Sequence, residues 1–188
     1  MERKKNLTFI CRSVAVLLLF FSLCPVIFTG CTADSSTKEV VIGIAWRGDT
    51  DSEFYTNIVA AVEEAGGKPV LLEQVKADYL TYDSNNTLVD CTDEVGGLTL
   101  ESANAIKENL WESTNIEEVM QGIDAVIFTG GEDISSSLYS DPEPWHGIEA
   151  EIDFNATRDV SDYILMSYCI EKNIAAVGFC RGMQMLAV

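Results

Sequence analysis

Histidine is almost missing from this chain: a single one, His146, stands in 188 residues. With one histidine and no closely spaced cysteine pair, no ligand set for a metal ion can be assembled, so no metal site is expected. Positive charge is scarce as well. Twelve Lys+Arg stand against 30 Asp+Glu, a formal net charge of −18. Such a surface repels phosphate backbones, which argues against nucleic acid as a partner. It repels anionic lipid headgroups for the same reason. There is no G-x-G-x-x-G fingerprint and no P-loop, so no nucleotide or other cofactor is expected. No internal repeat is evident along the chain.

The scarce positive charge is unevenly placed. Arg3, Lys4, Lys5 and Arg12 precede an apolar run from Val14 to Phe28, and small residues Thr29-Gly30 lead into Cys31. A basic n-region, an apolar h-region and a small-residue cut site are the marks of a secretory leader. The apolar run is about 15 residues, short for a full membrane span. A cysteine directly after Gly30 resembles a bacterial lipobox, although Phe28 replaces its usual aliphatic residue. The expectation is therefore a leader over residues 1–30, lipid on Cys31, a polar tether over 31–38 and a domain over 39–188. Without the leader, 8 basic residues face 29 acidic ones. An exported, membrane-anchored protein would then hold its membrane through the lipid and not through surface charge.

Beyond Cys31 the remaining cysteines are Cys91, Cys169 and Cys180. An odd number in an exported protein leaves at least one thiol free. Cys169 sits in a helical pattern and reads as a small buried apolar residue. A Cys91–Cys169 disulfide is open at this level.

The pattern along the domain alternates strand and helix. Residues 39–46 (EVVIGIAW) form a β-branched apolar run, and Thr50-x-x-Glu53 is a capping box before apolar residues at helical spacing from Phe54 to Ala65. Gly66-Gly67 stops that helix, and residues 69–73 (PVLLE) give a second strand. A βαβ unit implies a parallel sheet. Residues 75–123 are less regular; within them 78–97 is rich in Asp, Asn, Thr and Gly, and the 75–110 stretch reads as an excursion or lid outside the core. Thr114-x-x-Glu117 caps a short helix ending at Gly122, residues 124–129 (DAVIFT) make a third strand, and Gly130-Gly131 follows. A loop holding Pro142, Pro144 and His146 runs to about Asn155. A helix marked by Val160, Tyr163, Ile164, Ser167 and Ile170 ends near Asn173, a plausible left-handed stop. Residues 174–179 read as a buried fourth strand. The fold class is α/β: a doubly wound, flavodoxin-like parallel sheet with helices on both faces.

That fourth strand runs into Gly178-Phe179-Cys180-Arg181-Gly182, a G-x-C-x-G turn and the thiol counterpart of the G-x-S-x-G nucleophile elbow. The turn lifts the central side chain out at the head of the sheet, at the start of a helix, where negative charge is favoured. Ligands in doubly wound sheets sit outside the carboxyl ends of strands. Both glycine-rich turns, 130–131 and 178–182, lie at such ends. Cys180 is thus the candidate nucleophile. The main-chain N–H of Arg181 is one candidate oxyanion donor, and Gly130 or Gly131 supplies the other.

Taken in order, Val41-Ile42-Gly43-Ile44, residues 60–72, Gly130-Gly131-Glu132-Asp133-Ile134, Leu138-Tyr139, Arg158-Asp159 and residues 178–184 resemble the γ-glutamyl-γ-aminobutyrate hydrolase branch of the class I glutamine amidotransferase-like superfamily. The resemblance runs from Val40 to the last residue, apart from the 75–110 stretch. It implies that Cys180 attacks a γ-glutamyl amide carbonyl and forms a glutamyl thioester that water then cleaves. It implies Gly131 and Arg181 as the main-chain oxyanion donors, and places Gly130, Asp133 and Arg158 near the substrate. The expected partner is a small γ-glutamyl molecule.

In one respect the chain departs from that pattern. The family completes its triad with a histidine and an acidic residue tens of positions beyond the cysteine, and Val188 is the last residue here. The expectation is an N-terminal part of a longer enzyme, with a sheet incomplete at its C-terminal side and His146 an exposed loop residue. A lipid-anchored binding protein and an inactive remnant are the other readings. The oligomeric state and the amine of the substrate are not legible.

Overall fold

The computed structural model describes residues 38–48 and 53–188. The leader, the lipid site at Cys31, nearly all of the tether and Thr50 of the first capping box lie outside the described residues. Residues Glu39–Val188 form one contact unit.

Among the described residues four short strands, β1 (Val41–Ile44), β2 (Lys68–Leu71), β3 (Ala125–Phe128) and β4 (Ala175–Gly178), form a sheet of order β2-β1-β3-β4. Every pairing is parallel. The helices are α1 (Glu53–Glu64), α2 (Leu100–Asn109), α3 (Ile116–Val119), α4 (Ala156–Glu171) and α5 (Arg181–Met185). They lie on both sides of the sheet, giving the α/β, flavodoxin-like architecture read from sequence.

Local chemistry sets the boundaries. After α1, Gly66 takes φ +82, and the Gly67 N–H donates to the Val62 carbonyl, which turns the chain straight into β2. Asn155 caps α4, its side-chain oxygen accepting from the Arg158 N–H at 3.0 Å. Asn173, at φ 53, ends the connection after α4 as expected. The α3 cap differs. Asn115 takes the N-cap position with no side-chain capping bond, while Thr114 Oγ1 accepts from the Ile116 N–H at 3.4 Å. Asn115 is instead engaged by the preceding segment, its Oδ1 accepting from the Lys76 N–H at 2.7 Å.

Two expectations are corrected. The first is the excursion. Residues 75–110 are not a lid, because Val75, Ala77, Leu88, Leu98 and Ile106 are buried in the same core cluster as Val126, Phe128, Val160 and Ile164. Hydroxyls sew the segment to its surroundings. Ser161 Oγ accepts from the Val75 N–H, Thr157 Oγ1 from the Leu88 N–H, and Ser135 Oγ from the Leu98 N–H.

The segment also contains a repeat that the sequence hides. In residues 82–88, Asp83 Oδ1 accepts from the Asn85 and Thr87 N–H groups. Ten residues on, Asp93 Oδ1 accepts from the Val95 and Gly97 N–H groups. Asn86 and Gly96 both take positive φ, and Leu88 and Leu98 both close their turns into the core. Only aspartate and leucine are shared, so composition masks the recurrence.

The second correction is β4. Its run of apolar residues reads as buried, yet it is the edge strand, and Val177 is 53% exposed. Helix α1 covers only part of that sheet face. A groove of about 630 Å³ remains beside it, lined by Ile42, Ile58, Ala125, Ile127, Val177 and Phe179.

Candidate active site

The Phe179 N–H extends the β3–β4 ladder by one bond to the Phe128 carbonyl, 3.0 Å. The chain then reverses at Cys180, which adopts φ 50, ψ −104. That is a left-handed conformation an L-residue with a Cβ rarely takes, at a cost of about 1–3 kcal/mol. Helix α5 starts at once, with the Met183 and Gln184 N–H groups donating to the Cys180 carbonyl. The flanking glycines are required by packing. A Cβ at Gly178 would lie 2.5 Å from the Gly182 backbone, and one at Gly182 would lie 2.6 Å from Phe128 Cβ. The outcome is an exposed, free Cys180 thiol at the head of the sheet.

The turn after β3 is brought against it. A Cβ built at buried Gly130 would lie 3.5 Å from Cys180 Cβ, so the two strand ends touch. Gly131 is exposed, at φ 146, and a Cβ there would collide with Arg158 Nη1. Only glycine satisfies both the backbone and the neighbour. Neither the Gly131 nor the Arg181 main-chain N–H has a hydrogen-bond partner among the described residues. The Gly131 donor is exposed, whereas that of Arg181 is buried directly after the Cys180 turn; unpaired main-chain donors next to a nucleophile are the raw material of an oxyanion site.

Behind this surface lies a buried ionic cluster. Arg158 and Arg181 are both 0% exposed. Arg158 Nη2 donates to the Thr129 carbonyl, Thr129 Oγ1 and the Gly130 carbonyl, and its Nη1 donates to Glu132 Oε2 at 2.6 Å. Arg181 Nη1 donates to the Glu132 and Asp133 carbonyls, its Nη2 to Asp159 Oδ1 at 2.6 Å and its Nε to Asp162 Oδ2 at 3.0 Å. The same Asp162 Oδ2 lies 3.3 Å from Arg158 Nε. Asp159 Oδ2 accepts from both the Ser135 N–H and its hydroxyl. From the front, Arg47 Nη1 donates to the Gly130 carbonyl at 3.1 Å.

Burial pushes the Asp159 and Asp162 carboxyls up, with the guanidiniums pulling the other way. Burial also acts against Glu132, but bonds from its own backbone, Asn155 and Arg158, with the Arg158 charge, hold it down at about 2. Burial alone pushes the Cys169 thiol up to about 12.

The structure therefore places the sequence candidates as follows. Gly130 packs against Cys180, and their chain neighbours Gly131 and Arg181 follow at the same adjacent ends of β3 and β4; the pocket beside the elbow is lined by Gly130 and Phe179. Asp133 is exposed beside it, its Oδ1 accepting from Gln184 Nε2 at 3.4 Å. Arg158 is corrected: its buried guanidinium is committed to Thr129, Gly130 and Glu132, so it holds the glycine turn from behind instead of contacting a substrate. His146 is an exposed loop residue, its side chain 77% accessible and 3.9 Å from Glu143, with no hydrogen bond to Cys180. Cys91 and Cys169 are buried free thiols and form no disulfide. No group of three or more metal-ligating side chains occurs among the described residues. Sequence reasoning missed Asp162, Ser135 and Arg47, and singled out Glu132 and Asp159 only as motif positions, without a role. Asp162 stands on α4 four residues after Arg158, the helical spacing that could have exposed it.

Residues 99–188 match the Peptidase C26 family. The matched stretch takes in α2, the glycine turn, the cluster on α4 and the elbow, and begins inside the segment that composition set apart. The chain is also similar to RP404 of Rickettsia prowazekii (strain Madrid E), named as glutamine amidotransferase-like. The two are 28% identical over 113 residues, which cover 60% of this chain and 36% of that protein. A second relative is protein NtpR of Enterococcus hirae (strain ATCC 9790), 38% identical over 66 residues, 35% of this chain and 26% of that protein. The chain thus spans about a third or less of the length of the curated relatives it matches.

Proposed function

We propose that this chain carries the nucleophile of a cysteine amidohydrolase that cleaves γ-glutamyl amides. The observation that supports it most is the exposed Cys180 thiol at a strand end packed against Gly130, with the N–H groups of the two neighbouring residues, Gly131 and Arg181, lacking a partner among the described residues. The Peptidase C26 match over the same residues supports the reaction class. The γ-glutamyl specificity rests on the motif resemblance alone.

In this reading the Cys180 sulfur attacks the amide carbonyl carbon. The carbonyl oxygen, now negative, accepts from the Gly131 and Arg181 N–H groups. The C–N bond then breaks, the amine leaves with a proton, and a glutamyl thioester remains on Cys180. Water cleaves that thioester to glutamate and the free thiol. The proton transfers need a base, and His146 lies on an exposed loop with no hydrogen bond to the thiol. By the resemblance, a histidine oriented by an acidic residue, both C-terminal to the elbow, would fill that role. Small-substrate access fits a pocket of about 390 Å³ beside the elbow, lined by Glu53, Asn57, Ile58, Gly130 and Phe179.

Release of glutamate from a γ-glutamyl anilide by the protein in its natural length, compared with its Cys180→Ala variant, tests the assignment. Loss of activity by several orders of magnitude is expected for a missing nucleophile. Equal turnover by both proteins would overturn it. The same proposal carries export and anchoring through lipid on Cys31. Labelled fatty acid should enter the wild-type protein in a bacterial host and not Cys31→Ser; equal incorporation would refute the anchor.

A further inference from the structure

The two candidate oxyanion donors come from different parts of the chain, 50 positions apart, on turns that no β-ladder bond joins directly. Something must hold them in register, because an oxyanion site works only when its donors are aimed at one point. The buried cluster does this in a specific way. Arg158 grips the glycine turn through the Thr129 and Gly130 carbonyls and lies against the Cα of Gly131. Arg181 is the elbow residue itself, and its side chain reaches back to the Glu132 and Asp133 carbonyls of the same turn. One carboxylate oxygen, Asp162 Oδ2, lies 3.0 Å from Arg181 Nε and 3.3 Å from Arg158 Nε.

We infer that Asp162, acting through Arg158 and Arg181, is the positioning residue that aligns the Gly131 and Arg181 N–H groups on a single oxyanion. Building on the amidohydrolase reading, this assigns the α4 cluster a part in transition-state alignment beyond general stability. Simple core stabilisation does not require this arrangement. Asp162 is 2% exposed, and its Oδ1 has no hydrogen-bond partner, an unmet acceptor that costs stability. An apolar residue of similar size would avoid that cost, whereas a carboxylate facing both guanidiniums fixes their mutual placement. The cluster also opposes the strain at Cys180. The residue next to it, Arg181, is pinned by four polar contacts, so the elbow cannot relax without breaking them.

Two reactions of Cys180 separate alignment from mere thiol exposure. Alkylation by iodoacetamide displaces iodide at a saturated carbon and develops no oxyanion. Acetylation by p-nitrophenyl acetate forms an S–C bond, expels p-nitrophenolate and passes through a tetrahedral oxyanion, the thiol proton going to solvent. Both are measured on the full 188-residue chain, with Cys180→Ala as background. In Asp162→Asn and Arg158→Lys, acetylation should slow by about tenfold or more while alkylation stays within about twofold. Thr129→Val, which removes one anchor of Arg158 without changing charge, should slow acetylation to a smaller degree and decides the matter if either charged variant loses its fold by circular dichroism. Parallel loss of both reactions, no change in either, or a wild-type ratio equal to that of free cysteine would overturn the clamp. Absent turnover of γ-glutamyl amides with the acetylation effect intact would sink the substrate reading and leave the clamp standing.

Discussion

Cys180 sits at φ 50 in an elbow whose flanking glycines, Gly178 and Gly182, are packed too closely to carry a Cβ. Its exposure and the burial of Cys169 make the thiols chemically distinct. Under native conditions at pH 8, iodoacetamide should label Cys180 first and leave Cys169, held at about 12, untouched until the protein unfolds; peptide mass mapping reads the order. Early labelling of Cys169 would mean that the α4 core is open. Glu132 allows a pH test. Its carboxyl is held at about 2 against an ordinary 4.5, so its contribution is complete above pH 4.5 and disappears as pH falls toward 2. Asp159 and Asp162 shift in the opposite sense, but they are present in both proteins of the comparison. Between pH 4.5 and 2 the wild type should therefore lose melting temperature more steeply than Glu132→Gln. Parallel curves would contradict the Arg158–Glu132 pairing. At this scale the sequence was legible where glycine and cysteine constrain the backbone, as at Gly131, Gly178, Cys180 and Gly182. The partners of Arg158 and Arg181 were not, because a buried ion pair leaves no trace except a charge inside an apolar helical stripe.

Helix α4 carries the most weight among the elements, since it supplies Arg158, Asp159 and Asp162 and also the hydroxyls that hold the preceding segment. Asn155→Ala removes its N-cap and should cost about 1 kcal/mol in denaturant unfolding. A value near zero would mean that the cap bond at 3.0 Å is dispensable. The two turns, ten residues apart, are each closed by one buried leucine. Leu98→Ala should cost about 2–5 kcal/mol, as for other buried leucines, whereas a lid would tolerate it with little loss. The four strands were legible from apolar, largely β-branched runs, with ends shifted by one or two residues, mostly because those runs continue past the last ladder bond. The 75–110 segment was misjudged for a physical reason. Its turns need Asp, Asn and Gly at fixed places, so polar composition concealed a backbone that buries Val75, Leu88 and Leu98 between them.

For the molecule as a whole, acidic charge and an exposed apolar edge act against each other. Val177, Phe179, Met183 and Leu186 are all more than half exposed around β4 and α5. Open strand edges invite pairing, while a formal net charge of −18 resists it. High salt, which screens the repulsion, should therefore raise self-association in light scattering, and a salt-independent size would show that the edge is not sticky. The parallel order β2-β1-β3-β4 brings the ends of β3 and β4 side by side, and that adjacency turns two separate glycine turns into one cleft. The central claim is that Cys180 in this cleft is a nucleophile for γ-glutamyl carbonyls. The most direct measurement is intact-mass and peptide mapping after treatment with a γ-glutamyl chloromethyl ketone, with glutamine as competitor. The account predicts a single adduct on Cys180, chloride having been displaced, that glutamine suppresses and Cys180→Ala abolishes. An adduct on Cys91 or Cys169, or labelling of Cys180 that glutamine leaves unchanged, would contradict it.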